Sequence, residues 1–212
     1  MVITVFGATG QVGSQVVTQA LAKGYKVRAF GRNVENLIDK DLRDDNFEAM
    51  KGYVFDEKDV LNAVKNVDAV VSCIGGAVDG IDKTRSLGIK NIVHQMEKAT
   101  VKRIVAIGGL GVLNVDNETL LMDTPDYPDA YKPVSIEHLA AFKILEISTL
   151  NWTFICPPNI LDKDFTGTYA TIENIVPENN KGAINAGDLA ACILKAIENN
   201  QFIKTKVGIT NA

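Results

Sequence analysis

Three glycines follow a short apolar run at the start of the chain, in the stretch MVITVFGATGQVGSQVV. Residues 1–6 are rich in β-branched side chains, which predicts a strand that is buried on both faces. From Val12 to Leu21 apolar residues recur at helical spacing, which predicts an amphipathic helix. Gly7, Gly10 and Gly13 therefore fall in a turn between a strand and a helix. Such a unit is typical of chains that alternate strands with helices.

Strand-like and helix-like segments continue to alternate along the chain. Because alternation with apolar strands indicates right-handed crossovers, we predict an α/β fold of Rossmann type, a doubly wound and mainly parallel sheet with helices on both faces, in the strand order 3-2-1-4-5-6. The further predicted strands are Tyr25–Phe30, Gly52–Phe55, Asp68–Ile74, Arg103–Ile107, Trp152–Cys156 and a short one near Lys206–Ile209. The further predicted helices are a short one near Asn33, and Glu57–Val64, Arg85–Ala99, Val134–Leu150 and Ala186–Asn199.

Two polar stretches interrupt this alternation, at about 108–131 and 157–182. Each begins where a predicted strand ends (the fifth and the sixth), and ligands of open α/β sheets bind at the carboxyl ends of the strands. We therefore expect both stretches to lie on the substrate side of the protein. With 212 residues, the chain is predicted to form a single domain spanning residues 1–212.

The composition narrows the classes of partner. Lysine and arginine number 22 against 26 acidic residues, a net charge of −4, and no basic tract stands out. We therefore expect no nucleic-acid surface. Three widely spaced cysteines and two histidines predict buried thiols and no metal site. Because residues 2–6 form a predicted core strand and no apolar run is long enough to cross a bilayer, we expect no signal peptide, no membrane span and a cytoplasmic location.

The glycine turn has the properties of a phosphate site. A helix amino terminus offers unpaired N–H groups, and glycines let a pyrophosphate approach the backbone closely. We therefore predict dinucleotide binding by the turn and the first helical residues. The spacing in GATGQVG resembles the extended and atypical branches of the short-chain dehydrogenase/reductase superfamily. The residues predicted to contact the cofactor here are Gly7, Thr9, Gly10, Gln11, Val12 and Gly13.

The end of the second predicted strand favours one cofactor over the other. NAD-specific sites usually carry an acidic residue there, which binds the ribose 2′-hydroxyl. This chain reads RAFGRN instead, and the guanidinium of Arg32 suits a 2′-phosphate. We therefore predict that NADP(H) is preferred and that NAD(H) is possible. The superfamily resemblance further implies that Asp56 contacts adenine, although it is equally placed to cap the helix that follows, and that Ile74, Gly75 and Gly76 pass the adenosine ribose.

The sequence lacks the catalytic pair of standard short-chain dehydrogenases, Tyr-x-x-x-Lys. Four residues after each of the five tyrosines stand alanine, glutamate, tyrosine, serine and glutamate, so none has the required lysine. The fifth predicted strand is followed by IGGLG, without the usual serine. In the helix SIEHLAAFKILE, His138 is a candidate lone proton donor, and a structural role is the alternative.

The second half of the chain sharpens the resemblance. ICPPNILDKDFTGTY, after HLAAFKILEISTLNW, resembles the NAD(P)H-binding, NmrA-like group of atypical short-chain proteins, and within it the flavin reductase (biliverdin reductase B) type. That resemblance implies hydride transfer to planar conjugated acceptors, with Pro157 beside the nicotinamide. It differs where the flavin reductase pattern has a serine and a histidine, which are Gly109 and Asn159 here. Asn159 and Tyr169 are further candidate catalytic residues, Tyr169 as a ring that stacks on a substrate.

Three functions follow as alternatives. The first is an NADP(H)-dependent reductase of a flavin-, quinone- or enone-like small molecule, acting as a monomer or small homo-oligomer. The second is a non-catalytic redox sensor that binds the dinucleotide and contacts a partner, and the loss of donors at Gly109 and Asn159 favours it. The third is a sugar-nucleotide epimerase or dehydratase, which shares the glycine spacing but requires the missing Tyr-x-x-x-Lys pair.

Overall fold

The structure is a computed structural model that describes residues 1–38 and 45–212. Ten strands and six α-helices are formed by these residues. The strands are β1 (Val2–Phe6), β2 (Lys26–Gly31), β3 (Phe47–Lys51), β4 (Ala69–Ser72), β5 (Arg103–Ile107), β6 (Asn151–Cys156), β7 (Asn159–Leu161), β8 (Tyr169–Glu173), β9 (Ala183–Asn185) and β10 (Thr205–Asn211). The helices are α1 (Gln11–Ala22), α2 (Glu35–Ile38), α3 (Glu57–Val64), α4 (Thr84–Lys98), α5 (Lys132–Glu146) and α6 (Ala186–Glu198).

Eight strands form one sheet in the order β3-β2-β1-β4-β5-β6-β10-β8, and β7 pairs with β9 in a second, two-stranded sheet. The predicted order of the first six strands is thus confirmed, and so is the doubly wound α/β class. Neighbours in the large sheet are parallel except β10 and β8, which are antiparallel. The chain turns from one half of the sheet to the other between β1 and β4, and a crevice opens there at the carboxyl ends of the strands.

Helices cover both faces of the large sheet. On one face α1 and α6 pack over a cluster of aliphatic side chains, with Val5, Val16 and Ile193 at its centre. On the other face α3, α4 and α5 cover a second cluster, which contains Phe6, Ile92 and Phe154. The inner strands β1, β4 and β5 have near-continuous apolar sequences because both of their faces are buried.

The third strand was predicted in the wrong place. The sequence favoured Gly52–Phe55, but β3 is Phe47–Lys51, where Phe47 pairs with Val27 of β2. This edge strand is half-buried and carries charges, so it lacks the apolar signal of the inner strands. The aromatic residues of the predicted segment, Tyr53 and Phe55, are more than half exposed and line the crevice instead.

The two polar stretches differ in structure. Residues 108–131 contain three short 3-10 turns, Leu110–Val112, Leu121–Asp123 and Asp129–Tyr131. The stretch after β6 is more regular than predicted, because it contains β7 and β8. Its first part lies against α1, where the Gln11 side chain donates to the carbonyl oxygen of Ile160 at 3.3 Å. The stretch after β6 therefore contacts the start of α1.

Candidate functional site

The turn after β1 has no room for side chains at two of its glycines. Gly7 adopts a positive φ of 75°, and a Cβ there would lie 2.5 Å from the carbonyl oxygen of Cys73. A Cβ on Gly13 would lie 2.1 Å from the carbonyl oxygen of Gly7. The amide of Gly10 donates to that same oxygen at 3.0 Å, which closes the turn. Glycine at positions 7 and 13 thus lets α1 start directly against β1 and β4.

The amino terminus of α1 is open toward a ligand. Gly10 is the N-cap and supplies no side-chain hydrogen bond, and no acidic residue stands in the first turn. The first N–H groups of the helix therefore carry the positive end of its dipole without a capping side chain. The N-cap residue Gly10 borders a cleft of about 370 Å³. These backbone groups and the bare glycines fit a pyrophosphate.

Seven of the twelve predicted cofactor residues line this cleft. Its lining includes Gly7, Thr9, Gly10, Arg32, Ile74, Gly75, Gly76, Tyr53 and Phe55. Gln11, Val12 and Gly13 lie beside it in the first turn of α1. Asp56 is not in the lining; its carboxylate caps α3 by accepting from the Asp59 amide at 2.8 Å. The capping alternative for Asp56 is therefore observed.

Arg32 lies directly after β2 and is exposed in this cleft. The next acidic residue along the chain is Glu35, which is paired with Lys51 at 2.9 Å. Among residues 1–38 and 45–212, no ion pair engages Arg32, and its guanidinium borders the cleft where an anion could bind.

The loop after β4 is held by two residues that sequence reasoning missed. Arg85, on α4, is buried and donates to the carbonyl oxygens of Gly76 and Ala77, each at 2.8 Å. Asp82 accepts from the Ala77 amide at 2.8 Å and from the Thr84 amide at 2.7 Å. Hydrogen bonds from Thr84 and Ala77 lower the pKa of Asp82 to about 2, so its carboxylate is ionised at neutral pH. The loop is thus fixed as one wall of the cleft.

A second cavity of about 440 Å³ lies beyond β5 and β6. It is bounded by the stretch after β5, the first half of α5 and the start of the stretch after β6. Its lining includes Gly109, Leu110, Leu121, Thr124, Asp126, Tyr127, Tyr131, Val134, Ser135, His138, Pro157, Pro158, Asn159 and Gly182. Of the predicted site residues, it therefore brings together His138, Asn159 and Pro157.

The surroundings of His138 favour its uncharged form at neutral pH. Burial lowers the pKa of its imidazole to about 3, and its Nδ1 is enclosed without a hydrogen-bond partner among the described residues. The ring lies over Gly109, whose missing side chain leaves it room. His138 can therefore offer a hydrogen bond at neutral pH, but it is not an imidazolium acid.

The other two candidate catalytic residues lie in different places. The Asn159 amide donates to the carbonyl oxygen of Gly182 at 3.2 Å, and its exposed side chain borders the second cavity. Tyr169 lines neither the cleft nor the second cavity. It lies on β8, packs against the core cluster under α1 and α6, and borders a groove with Gln19 and Lys195. This placement removes Tyr169 from the candidate site.

The second cavity also contains a pair of hydroxyls that the sequence did not reveal. Tyr127 and Ser135 share a hydrogen bond of 2.7 Å between their oxygens. A Cβ on Gly111 would lie 2.6 Å from each oxygen, so glycine is needed there for the pair to form. Ser135 lies one helical turn before His138 on α5. This spacing could have indicated from the sequence that the two side chains share one face of the helix. Tyr127 lies in an irregular loop, where no periodicity indicates its direction.

Comparison with known proteins shows the family. Residues 7–200 match the family model described as NAD(P)H-binding, and the chain belongs to that family. It is similar to a provisionally named exported protein from Burkholderia pseudomallei, at 32% identity and a TM-score of 0.84 over 99% of both chains. It is also similar to SP1627 of Streptococcus pneumoniae, provisionally assigned as an NADH-flavin reductase, at 26% identity and a TM-score of 0.83 over the whole of both chains. Uncharacterized protein YwnB of Bacillus subtilis is 29% identical over 93% of this chain and 92% of its own length.

These findings confirm the resemblance to the atypical short-chain, NmrA-like group and support a nicotinamide dinucleotide as the cofactor. The family is one of NAD(P)H-binding oxidoreductases, and it also has relatives named for other chemistry, such as the uncharacterized sugar epimerase YhfK of Bacillus subtilis at 25% identity over 93% of this chain and 88% of its own length. Among the described residues, no helix is long and apolar enough to cross a membrane.

Proposed function

We propose that the protein is an NADP(H)-dependent reductase that passes a hydride to a planar, conjugated small molecule of the flavin, quinone or enone type. The observation that carries the proposal is the placing of two cavities at one sheet edge. The cleft at α1 suits a dinucleotide, and the second cavity, beyond β5 and β6, has a largely apolar lining whose hydrogen-bonding groups are uncharged apart from Asp126. Such an edge is where open α/β sheets bind their ligands.

In this proposal the cofactor is held largely by backbone. Gly7, Gly10 and Gly13 admit the pyrophosphate, and the N–H groups of Gln11 and Val12 complete the helix terminus that receives its charge. Thr9 offers a hydroxyl in the same turn.

The two ends of the cofactor would meet different groups. Arg32 pairs with the 2′-phosphate, Ile74, Gly75 and Gly76 flank the adenosine ribose, and Asp56 accepts from adenine while capping α3. Pro157, which lacks an N–H donor, borders the nicotinamide end.

A bound dihydronicotinamide supplies the hydride, and the protein supplies orientation and an environment of low polarity. Leu110, Leu121 and Val134 give the second cavity apolar surface, which displaces water from a flat ring. His138 and Asn159 offer hydrogen bonds that fix the acceptor in its plane. A conjugated acceptor makes little demand for a positioned acid, because charge spreads over its ring system. The neutral state of His138 and the missing Tyr-x-x-x-Lys pair are both compatible with that chemistry.

The test begins with titrations of NADPH and NADH, followed by nicotinamide fluorescence, on wild type and Arg32→Ala. Loss of a charge-assisted phosphate contact costs about 1.5–3 kcal/mol, so we expect NADPH affinity to fall about 10- to 150-fold while NADH affinity hardly changes. Lys58→Ala is the control, because Lys58 is exposed on α3 and lies outside the cleft lining. Equal losses for both cofactors would contradict the role of Arg32.

NADPH oxidation in the presence of flavins and quinones then tests the reaction. Turnover with at least one such acceptor supports the proposal. If NADPH and NADP⁺ bind with clearly different affinities while no acceptor oxidises NADPH, the reductase proposal fails and the redox-sensor alternative takes its place.

A further inference from the structure

The lining of the second cavity carries little charge. It carries one carboxylate, that of Asp126, and among the described residues no lysine or arginine lines it. Lys132 stands nearby at the start of α5, but its ammonium is paired with Asp129 at 2.8 Å and it is not in the lining. Pro133 removes one N–H group from the first turn of α5.

This balance disfavours anionic ligands. Phosphates and carboxylates are held in proteins by guanidinium or ammonium groups or by several backbone amides together. His138 adds no positive charge, because burial keeps it neutral. A phosphate or carboxylate in this cavity would therefore lose its hydration and meet Asp126 without gaining a partner.

The same cavity offers a donor for an uncharged oxygen. The hydroxyls of Tyr127 and Ser135 have two hydrogens between them, and their mutual bond of 2.7 Å uses one. No described residue accepts the other. Ser135 is almost fully buried, while Tyr127 is partly exposed, and both line the cavity. A carbonyl oxygen placed there would satisfy the remaining donor, and the bond between the hydroxyls would strengthen it.

From these observations we infer the substrate class, and the inference rests on the proposed function. The geometry points to an uncharged planar carbonyl compound, such as a quinone, an enone or a flavin without phosphate. Its carbonyl oxygen accepts a hydrogen bond from the Tyr127–Ser135 pair, and phosphorylated or carboxylated analogues are rejected.

Riboflavin and FMN form the matched probe pair, because they differ only by a phosphate. Binding is followed by quenching of flavin fluorescence, with and without NADP⁺, which cannot reduce the flavin. We expect riboflavin to bind wild type at least about tenfold more tightly than FMN. Asp126→Lys places a cation at the cavity and should narrow that difference by strengthening FMN binding, with riboflavin binding retained. Absence of riboflavin binding, or FMN binding as tight as riboflavin, would overturn the inference.

The hydroxyl pair is tested by Ser135→Ala and Tyr127→Phe, which remove one oxygen each and little volume. Each should weaken riboflavin binding about 2- to 12-fold, the usual range for one neutral hydrogen bond. Tyr25→Phe is the control, since its hydroxyl binds Glu198 at 2.7 Å, outside the cavity lining. Unchanged riboflavin affinity in both variants, with folding confirmed by circular dichroism, would remove the pair from the substrate site.

Failure of this inference and failure of the proposed function are distinguishable. If riboflavin binds in preference to FMN but nothing oxidises NADPH, the binding preference stands and the reductase proposal fails. If FMN supports NADPH oxidation as well as riboflavin does, the reductase proposal stands and the inferred substrate class is wrong.

Discussion

The imidazole of His138 occupies the space that a side chain on residue 109 would need: a Cβ there would lie 2.6 Å from Cδ2 of the ring. The backbone at Gly109 is extended, with φ of −137°, so any residue can adopt its conformation. The requirement for glycine is therefore steric, and the three atoms nearest to such a Cβ all belong to His138. The two positions should behave as a coupled pair.

That coupling gives a first prediction. Gly109→Ser should cost about 1–3 kcal/mol of unfolding free energy, the usual range for overpacking, because the ring must move. In a His138→Ala background the same substitution should cost less, by about 0.5 kcal/mol or more. Urea unfolding of the four proteins measures the difference. An equal cost in both backgrounds would show that something other than His138 excludes a side chain at residue 109.

His138 should also make stability depend on pH. Its pKa is about 3 in the folded protein and about 6.5 in the unfolded chain, so between these values the unfolded state binds the extra proton. Stability should therefore fall as the pH is lowered from about 6.5, and His138→Gln should flatten that part of the curve. The measurement is urea unfolding from pH 7 to pH 4.5, with the exposed His94→Gln as control. A slope that persists in His138→Gln would rule out this origin.

Two glycines of the first turn should have different roles: Gly13 is expected to affect stability, and Gly10 to affect dinucleotide affinity. Gly13→Ala should destabilise the protein by about 2–3 kcal/mol, because its Cβ meets the Gly7 carbonyl at 2.1 Å. Gly10→Ala places its Cβ 3.3 Å from the same oxygen, at a φ of −75° that alanine accepts, so stability should change little. The added methyl should nevertheless weaken dinucleotide binding. Thermal unfolding and NADPH titration of both variants test this, and a stable Gly13→Ala would refute the packing argument.

A buried arginine, Arg103, lies at the amino end of β5, opposite the carboxyl ends of the strands where the cavities lie. Arg103 is 7% exposed, and Nη2 donates to the carbonyl oxygens of Ala196 and Gln201, at 2.9 and 3.0 Å. Burial lowers its pKa to about 10, so it stays charged at neutral pH beside the negative end of α6. Arg103→Met should cost about 2–4 kcal/mol, and Arg103→Lys less, because lysine keeps the charge but not the planar fork.

Urea unfolding measures these costs. Lys102→Met is the matched control, since Lys102 is exposed next in sequence, and it should stay within about 0.5 kcal/mol of wild type. Comparable losses at positions 102 and 103 would refute the claim that the buried hydrogen bonds are responsible.

Asp188, on α6, connects this helix to the stretch before β8 through hydrogen bonds. Its carboxylate accepts from the amides of Thr166 and Gly167, both at 2.8 Å, from the Thr166 hydroxyl at 2.8 Å and from the side chain of Asn185 at 2.9 Å. Burial would raise the pKa of Asp188, but these hydrogen bonds outweigh it and the pKa is lowered. The stabilisation is therefore present above the unfolded pKa of about 3.9 and is lost as pH falls through the lower folded value.

Asp188→Asn should accordingly cost about 1–3 kcal/mol at pH 7, and its deficit relative to wild type should shrink below about pH 4. Asp164→Asn, an exposed carboxylate in the same stretch, is the control and should cost little. The pair is compared by urea unfolding at pH 7 and pH 3.5. A deficit that grows on acidification would have the wrong sign.

The sequence predicted the inner part of the sheet because its strands are buried on both faces and read as apolar runs. The outer strands of the sheet were harder to predict from the sequence. β3 is a half-buried strand with charged residues, and β8 is largely exposed, so neither has a distinctive local pattern. The antiparallel pairing of β8 with β10 joins residues far apart in sequence, and a single sequence carries no direct signal for it.

The candidate site divides in the same way. The glycine turn was predictable because its requirement is local: a strand, a tight turn and a helix follow one another. The location of Arg32 at the cleft could be predicted from its place directly after a strand, whereas its role toward a 2′-phosphate stays a prediction. The pairing of Tyr127 with Ser135 was not, because it depends on how an irregular loop folds back over α5. The location of Tyr169 outside both cavities was not predictable either, because it depends on the pairing of β8 with β10.

The position of β10 has a consequence for how the protein is made. β10 follows the other nine described strands in sequence, yet it lies between β6 and β8 and pairs Thr205 with Thr153 and Asn211 with Tyr169. During synthesis from the amino terminus, β8 is complete long before the strand that anchors it exists. The nascent chain must therefore hold an unpaired edge at β6 until residues 205–211 are made, and a ribosome that stalls shortly before β10 leaves that edge open to other chains.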